Sequence, residues 1–373
     1  MTARLRNWLR AGVYELRAHR DRLSYPRRRP CVMIFPSNQP WDAASNLRAW
    51  LVAPELRKLG WRAVVVPEPL TLRQRQRLVR LEKPDVIVLQ QTRHPLNVPA
   101  LYAPIPCVVD ADDADCLDPK LKDHIARCTR EAHAVIGGSR FVAQTLSQHS
   151  RHRAHVIWTC TPRRDTALGP PPANRPPVVA WAHNDPLMYP QEAALVRRIM
   201  LGVAKRTQVE FWLFGTRESE AAEWLQPIRQ AGARCVAVPR LPYAAYLDKV
   251  SEAAVGLQPI CLENEFSRGK SFGKVLAYLQ GQVAVVASRA VDHPLFFRHG
   301  ENGYLADSDV ESWVDPIVTL LEQPELRARV ARSGWQDFQA RLTTEVFARL
   351  LDPILRSAAR VTATETDLPH LPL

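Results

Sequence analysis

Short apolar runs rich in Val and Ile, each closed by a turn residue and followed by a stretch with helical spacing, recur through most of this chain. Continuous apolar strands, as opposed to alternating ones, are buried on both faces, and parallel strands need long crossovers to return. The pattern therefore restricts the fold to parallel α/β sheets covered by helices on both sides. The first block reads as strand Cys31–Phe35, a helical stretch Asp42–Leu59 closed by Gly60, strand Ala63–Val66, helix Leu72–Leu81, strands Asp85–Leu89 and Pro106–Val109, a helix near Pro119–Ala132, and strand Ala134–Ile136. The second reads as strand Val178–Trp181, helix Gln191–Ala204, strands Val209–Phe214 and Cys235–Val238, helix Tyr243–Glu252 and strand Val255–Gln258. It continues with helix Ser271–Gln280, strand Val283–Ala287, and helices Glu311–Leu321 and Glu325–Arg341.

Between the blocks stand Pro162, Pro170, Pro171, Pro172, Pro176 and Pro177. Such a cluster continues neither a sheet nor a helix, so residues 163–177 read as a semi-rigid linker. A chain of 373 residues also exceeds the usual size of one core. The expected organisation is a basic segment 1–29, a first α/β domain 30–162, the linker, a second domain 178–341, a helix 342–358 that returns to the first domain, and a tail 359–373. Two open sheets joined in this way place a cleft between the carboxyl ends of their strands, where ligands of such sheets bind.

Charge is unevenly placed. Residues 1–29 carry nine arginines against Glu15 and Asp21, a surplus of seven out of the net +12 of the whole chain. On a helical wheel Leu5, Trp8, Leu9, Val13 and Leu16 share one face, with Arg4, Arg6, Arg10 and Arg17 flanking or opposing it. Two readings are open: an interfacial helix on an anionic membrane surface, or a helix whose apolar face packs on the protein itself. Nucleic acid is not expected as a partner, because no binding module or aromatic platform accompanies the charge. No apolar run approaches the ~18–20 residues needed to span a bilayer. The N-terminus lacks the apolar core of an export signal. Seven scattered cysteines without a Cys-x-x-Cys pair fit reduced thiols and give no zinc site. The expected location is cytoplasmic, peripheral at the inner face of the plasma membrane if the basic helix meets lipid.

The most informative stretch is Phe266-Ser-Arg-Gly-Lys-Ser-Phe-Gly-Lys-Val-Leu-Ala-Tyr-Leu279. Lys270 and Lys274 stand one helical turn apart near a helix start, where free backbone amides and the positive end of the helix also lie. Gly269 and Gly273 leave room for a phosphate. One charge-assisted hydrogen bond is worth roughly 1.5–3 kcal/mol, so two lysines and a few amides suffice to hold a diphosphate. The competing reading is the solvated face of an amphipathic helix.

This region resembles the family-four (group 1) glycosyltransferases of the GT-B fold, in the branch whose C-terminal domain reads Lys-Ser-x-x-Lys-x-x-Glu-Tyr. The likeness runs through Arg240-Leu-Pro-Tyr-Ala-Ala-Tyr246, Val255-Gly-Leu-Gln-Pro-Ile260, Lys270-Ser-Phe-Gly-Lys274, Val285-Val-Ala-Ser288, His299-Gly-Glu-Asn-Gly-Tyr304 and Pro324-Glu-Leu-Arg327. A looser match covers Ser45-Asn-Leu-Arg48, Leu59-Gly60 and Ala134-Val-Ile-Gly-Gly-Ser139. The resemblance implies two Rossmann-like domains facing each other across a cleft. It implies a nucleotide-diphosphate sugar as donor, bound by the C-terminal half, and a glycan or lipid-linked acceptor presented by the other. It also implies retention of anomeric configuration and no bound metal or other cofactor. Carried over residue by residue, Lys270, Ser271, Gly273 and Lys274 are the donor-binding candidates, with His183 after the first strand of the second domain. The sequence departs from the family at Ala277 and Gly269, where two glutamates are usual, and at Gln282 and Ala284, where glycine and proline are usual. Glu263 and Glu265 are candidate replacements, or ordinary loop charges.

Asp110-Ala-Asp-Asp-Ala-Asp115 directly follows the strand Pro106–Val109. Clustered carboxylates at a strand's carboxyl end raise one another's pKa values and suit one of them to acid–base work. Asp112 and Asp113 are accordingly the catalytic candidates beside Lys274, with Asp112 orienting or deprotonating the acceptor. A divalent-metal site and a solvated, helix-capping loop are the other readings of the cluster. Arg93 and His94 are weaker acceptor-side candidates. The expected activity is glycosyl transfer in cell-surface polysaccharide or glycolipid synthesis. The alternatives are a catalytically silent GT-B protein that binds nucleotide or a partner, suggested by the missing glutamates, and a sugar-nucleotide epimerase.

Overall fold

In the computed structural model, which describes residues 3–24, 29–166 and 168–359, the alternation resolves into two parallel sheets. After helix α1 (Ala3–Ser24), the first sheet is built from β1 (Cys31–Phe35), β2 (Arg62–Val65), β3 (Val86–Gln90), β4 (Cys107–Ala111), β5 (Ala134–Gly137) and β6 (His155–Val156), in the order β2-β1-β3-β4-β5-β6. Helices α2 (Ala43–Ser45), α3 (Ala53–Lys58), α4 (Leu72–Glu82), α5 (Lys122–Glu131) and α6 (Arg140–Ser147) belong to this half.

The second sheet holds β7 (Val178–Ala182), β8 (Glu210–Phe214), β9 (Arg234–Val238), β10 (Val255–Gln258), β11 (Ala284–Ser288) and β12 (Tyr304–Ala306), in the order β12-β11-β10-β7-β8-β9. Its helices are α7 (Pro190–Ala204), α8 (Glu218–Gln230), α9 (Tyr243–Val250), α10 (Glu265–Arg268), α11 (Val275–Gln280), α12 (His293–Phe296), α13 (Glu311–Glu322) and α14 (Pro324–Arg341). Every residue of β1, β3, β4, β7 and β11 is buried, as continuous apolar strands between two helical layers must be.

The last helix, α15 (Thr344–Ala359), leaves the second half and packs its Phe347, Ala348, Leu351, Ile354 and Leu355 against Val32, Ile34 and Trp61 of the first. Asp352 accepts a 2.6 Å hydrogen bond from the Trp61 indole. The two crossings of the chain run side by side, since Thr161 N donates to Leu342 O and Thr344 N to Thr161 O, each at 3.1 Å.

One sequence expectation needs correction. The helix expected over Asp42–Leu59 is broken into α2, a wide turn Asn46–Trp50 and α3. The turn aims Arg48 inward at Asp110 of β4, and Pro54 starts the next helix afresh. The proline-rich linker, read as semi-rigid, is tied to the second half by two buried arginines. Buried Arg175 donates to the carbonyls of Pro170, Ala253, Gly281 and Gln282, and buried Arg327 to those of Pro172, Ala173 and Arg175. Helices α6, α8, α10 and α12 and strands β6 and β12 are not among the elements the sequence indicates. Helix α8 buries only Ala221, Leu225 and Ile228, too few for its period to stand out, and the two strands are no longer than three residues.

Gln282, at a position where the resemblance implies glycine, has a φ of +51°. A residue with a Cβ pays about 1–2 kcal/mol in this region, of which glycine returns part as backbone entropy. Arg175 binds only the backbone here, so Gln282→Gly leaves its contacts intact. We expect Gln282→Gly to stabilise the protein by about 0.5–1 kcal/mol, read as an upward shift of the urea midpoint at unchanged m.

Candidate active site at the interdomain cleft

The second sheet reverses its winding between β7 and β10. The chain steps outward from β7 to β8 and β9, then returns to the other side for β10, β11 and β12. Loops at the carboxyl ends of the strands flanking such a reversal diverge to opposite faces and leave a crevice. Here Trp181 of β7 and Gln258 of β10 mark the point, and the cleft above them is lined further by His183, Tyr189, Glu192, Ser267, Lys270 and Lys274. An adjoining cavity at the ends of β10, β11 and β12 is lined by Gln191, Arg198, Ile260, Glu263, Arg289 and Asp307, among others.

Both lysines of the motif reach this cleft, although the helix expected from Ser271 begins only at Val275, with Lys274 at its N-cap. Gly269 and Gly273 disfavour helix in the preceding residues. Phe272 folds inward instead, edge-on to Trp158 (4.8 Å) and Phe296 (5.5 Å). Ala277 is buried in the apolar cluster that includes Phe272 and Leu47. Gly269 has its own reason to lack a side chain: a Cβ there would stand 2.5 Å from the Cβ of Ala114 across the domain boundary.

Burial, reinforced by the neighbouring Lys270, pushes the Lys274 ammonium down to about 8. The Lys270 ammonium lies 4.3 Å from the Phe266 ring centroid and 3.5 Å from a carboxylate oxygen of Asp113, which belongs to the other domain. His183 accepts a 3.3 Å hydrogen bond at Nδ1 from the Asp185 amide, so its proton resides on Nε2. Burial, followed by Lys274 and Lys270, pushes this imidazole down to about 3. It is a neutral donor at physiological pH.

Glu192, in the first turn of α7, turns one carboxylate oxygen to the Ser267 hydroxyl (2.9 Å) and the Cys261 amide (3.2 Å). Its other oxygen, and the hydroxyl of Ser271, are buried without a hydrogen-bond partner among the described residues. Such atoms cost about 1–3 kcal/mol each and mark places where a ligand or water belongs. Gly273 is exposed with open space around it. Glu265 is exposed in the first turn of α10, outside the lining of the cleft, and Glu263 is exposed beside the adjoining cavity.

Across the cleft the aspartates separate into distinct roles. Asp110 is buried and takes a two-pronged ion pair from buried Arg48, with Nε to Oδ2 at 3.0 Å. Asp113 pairs with Arg93 (3.1 Å) as well as Lys270, and these cations hold its carboxyl below the ordinary value despite burial. Asp115 pairs with Arg93 at 3.0 Å. Asp112 has a neutral partner, the Gln91 side-chain amide. Burial first, then Asp113, pushes it up to about 7. Gly138 packs against it, where a Cβ would stand 2.6 Å from Asp112 Cα. Gln91 itself has a φ of +57°, a strained backbone at the carboxyl end of β3 of the kind that gathers at functional sites. Among the described residues, no three His, Cys, Asp or Glu side chains are grouped to hold a metal ion. His94 is occupied structurally, accepting from the Leu96 amide at Nδ1 and facing Glu68 from Nε2.

The halves are joined around this cleft. Asp292 accepts from the Arg140 amide and guanidinium (both 2.9 Å) and from the Trp158 indole (2.8 Å), and Ser139 donates to Gly269 O at 3.2 Å.

Residues 197–351, which contain both lysines, match the glycosyl transferase-like family. The chain has the GT-B fold, and its second half is glycosyl transferase-like in sequence. Solved structures with the same fold include HepE from Anabaena in complex with UDP and glucose, with a TM-score of 0.62 and 14% identity over 88% of this chain and 100% of that one. Sucrose-phosphate synthase from Thermosynechococcus elongatus has a TM-score of 0.63 and 13% identity over 90% of this chain and 100% of its own. A glycosyltransferase from Rickettsia africae has a TM-score of 0.66 and 9% identity over 90% and 100%. No curated protein sequence matches at a significant level.

Within this cleft, sequence reasoning missed Glu192, Tyr189, Gln91 and the Arg48–Asp110 pair. An acidic residue in the first turn after His183-Asn-Asp-Pro186 was the available signal for Glu192. Nothing in the order of residues pointed to Gln91, whose importance comes from its backbone angle. The match at Ser45-Asn-Leu-Arg48 had a physical content that only the partner on β4 exposes.

Proposed function

We propose that the enzyme transfers a glycosyl group from a nucleotide-diphosphate sugar to a hydroxyl of a glycan or lipid-linked acceptor, with retention and without a bound metal, in the synthesis of a cell-surface polysaccharide or glycolipid. The observation that carries this reading is the convergence of Lys270, Lys274 and the neutral Nε2–H donor of His183 at the reversal point of the second sheet. Two ammonium groups and a fixed neutral donor stabilise the charge that develops on a departing diphosphate, and such preorganised groups are usually the largest catalytic contribution. They also do the work a divalent cation would do, which supports the metal-independent reading. Asp113 holds Lys270 across the cleft until donor phosphate takes its place.

Asp112, with a pKa near 7, is matched to accept the acceptor's hydroxyl proton or to orient that hydroxyl by hydrogen bonding. Glu192 has a free carboxylate oxygen for donor hydroxyls, which supports it over Glu265 as the replacement for the family glutamate. The adjoining cavity leaves space for the nucleoside. HepE, whose structure contains UDP and glucose, supports UDP-sugars as the first donors to try.

The test is a thermal-shift screen against UDP, GDP, ADP, CMP and their sugars, followed by transfer assays with and without acceptor. Ligand at about a hundred times its dissociation constant stabilises the fold by roughly 2.7 kcal/mol. We expect one nucleotide family to raise Tm by a few degrees and product to require acceptor. Product formed from donor alone would make the protein an epimerase, and a response to no nucleotide would make it a silent relative.

A further inference from the structure

Helix α1 is folded with its small side chains inward and its large ones outward. Ala11 and Ala18 are 5% and 0% exposed, and the helix lies along α4 with Tyr14 packed at the edge of the core beneath it. Asn7 donates to the Pro69 carbonyl at 3.0 Å, and Glu15 pairs with Arg77 at 2.8 Å. These contacts fix the rotation of the helix. On the face turned away, Trp8 is 68% exposed, Leu16 72%, Val13 49% and Leu9 45%, with Leu5 exposed beside them. The packing that the sequence allowed for this apolar stripe is thus not made within the described residues, because the alanine face has taken the contact with α4.

Two observations identify what covers the stripe. Arg6, Arg10 and Arg17 form an exposed row along its side. Arg73 and Arg80 of α4 are exposed next to it, around a shallow groove that Trp8 and Gly12 also line. Glu15, which lines the same groove, is paired with Arg77. A strip of Trp and Leu bordered by arginines complements a surface that is apolar below and negatively charged at its rim, which is an anionic bilayer. Among the described residues no helix is long and apolar enough to cross a membrane, so the contact is one of lying on the surface.

We propose that the outward face of α1, with Trp8, Leu9, Val13 and Leu16 as its apolar anchor and Arg6, Arg10, Arg17, Arg73 and Arg80 as its basic border, docks the enzyme on anionic lipid. This deepens the functional reading by naming where a membrane-borne acceptor is met, and it depends on that reading for the acceptor alone.

The experiment is co-sedimentation of the full-length protein with vesicles of phosphatidylcholine and with vesicles that also contain phosphatidylglycerol. Each arginine near an anionic surface strengthens binding about fivefold, so the anionic vesicles should bind at least ~10-fold more tightly. That preference should shrink as salt rises. Leu9→Glu/Leu16→Glu and, separately, Arg6→Glu/Arg10→Glu/Arg17→Glu should each weaken binding by at least about tenfold. Both variants should keep the nucleotide-induced thermal shift, since neither touches the cleft. Equal binding to neutral vesicles, or unchanged binding by Leu9→Glu/Leu16→Glu, would overturn the proposal. So would a dimer in solution that this variant dissociates, because a second copy of the chain would then cover the face. Loss of the nucleotide response in the unaltered protein speaks instead against the glycosyltransfer reading and leaves the vesicle result standing.

Discussion

Lys270→Ala/Lys274→Ala is expected to lose the nucleotide-induced thermal shift entirely and to lower kcat/KM by on the order of 10²–10⁴, two charge-assisted contacts at roughly 1.5–3 kcal/mol each. The unliganded double variant should remain folded. Lys274 gives up an ammonium that burial already disfavours, and Lys270 gives up one ion pair of partly exposed groups. The pH dependence separates a phosphate-binding role from a structural one. The Lys274 pKa is lowered from 10.5 to about 8. Between those values the unfolded chain holds more protons than the native one, so this group makes unliganded stability rise with pH across that window. A bound diphosphate favours the charged form, so binding takes up a proton once pH exceeds about 8. Affinity should then fall by up to about tenfold per pH unit. Calorimetry in buffers of different ionisation enthalpy measures that proton directly. A double variant that still binds nucleotide with the same pH dependence would remove both lysines from the site.

Asp112→Asn is the second large effect. We expect kcat to fall by on the order of 10²–10⁴ with nucleotide affinity nearly unchanged, because Asp112 stands on the first domain, across the cleft from Lys274 and His183. In the unaltered enzyme the rate should rise through about pH 7 as Asp112 ionises, and the variant should lack that limb. Stability should move the other way. The Asp112 pKa is raised from 3.8 to about 7. The native state therefore binds the extra proton between those values, and the contribution of this group to stability is full below 3.8 and lost as pH rises through 7. Above pH 7 a buried carboxylate with Gln91 and two neighbouring aspartates remains charged, at a cost of a few kcal/mol. Asn removes that cost, so the variant should match the parent near pH 4 and exceed it in Tm near pH 8. A variant that is slower at every pH by the same factor, with the limb intact, would reassign Asp112 to positioning alone.

The orientation of α1 gives a further view of how such a chain is read. Its wheel correctly separated Leu and Trp from arginine, but amphipathicity has two sides only when the helix has one partner. This helix has three faces: alanines toward α4, large apolar groups outward and arginines between them. Small residues permit the closest approach to a neighbouring helix, and that face carries almost no hydrophobic signal in sequence.

By itself the sequence determined the number of sheets, their parallel winding, the strands that are buried on both faces and the stretch that brings Lys270 and Lys274 to the end of β10. All of these follow from local periodicity and turn chemistry, which a single chain displays in order. Tertiary structure alone decided the charges. Four aspartates in six residues looked alike on paper, yet Arg48 claims Asp110, Arg93 and Lys270 claim Asp113, Arg93 claims Asp115, and Asp112 keeps a neutral amide. It also decided that α11 begins at Val275, because Phe272 found an apolar seat between Trp158 and Phe296. The distinction has one physical cause. Secondary structure depends on neighbours a few residues away, whereas the state of an ionisable group depends on charges and solvent within a few ångströms, and those are supplied by residues far along the chain.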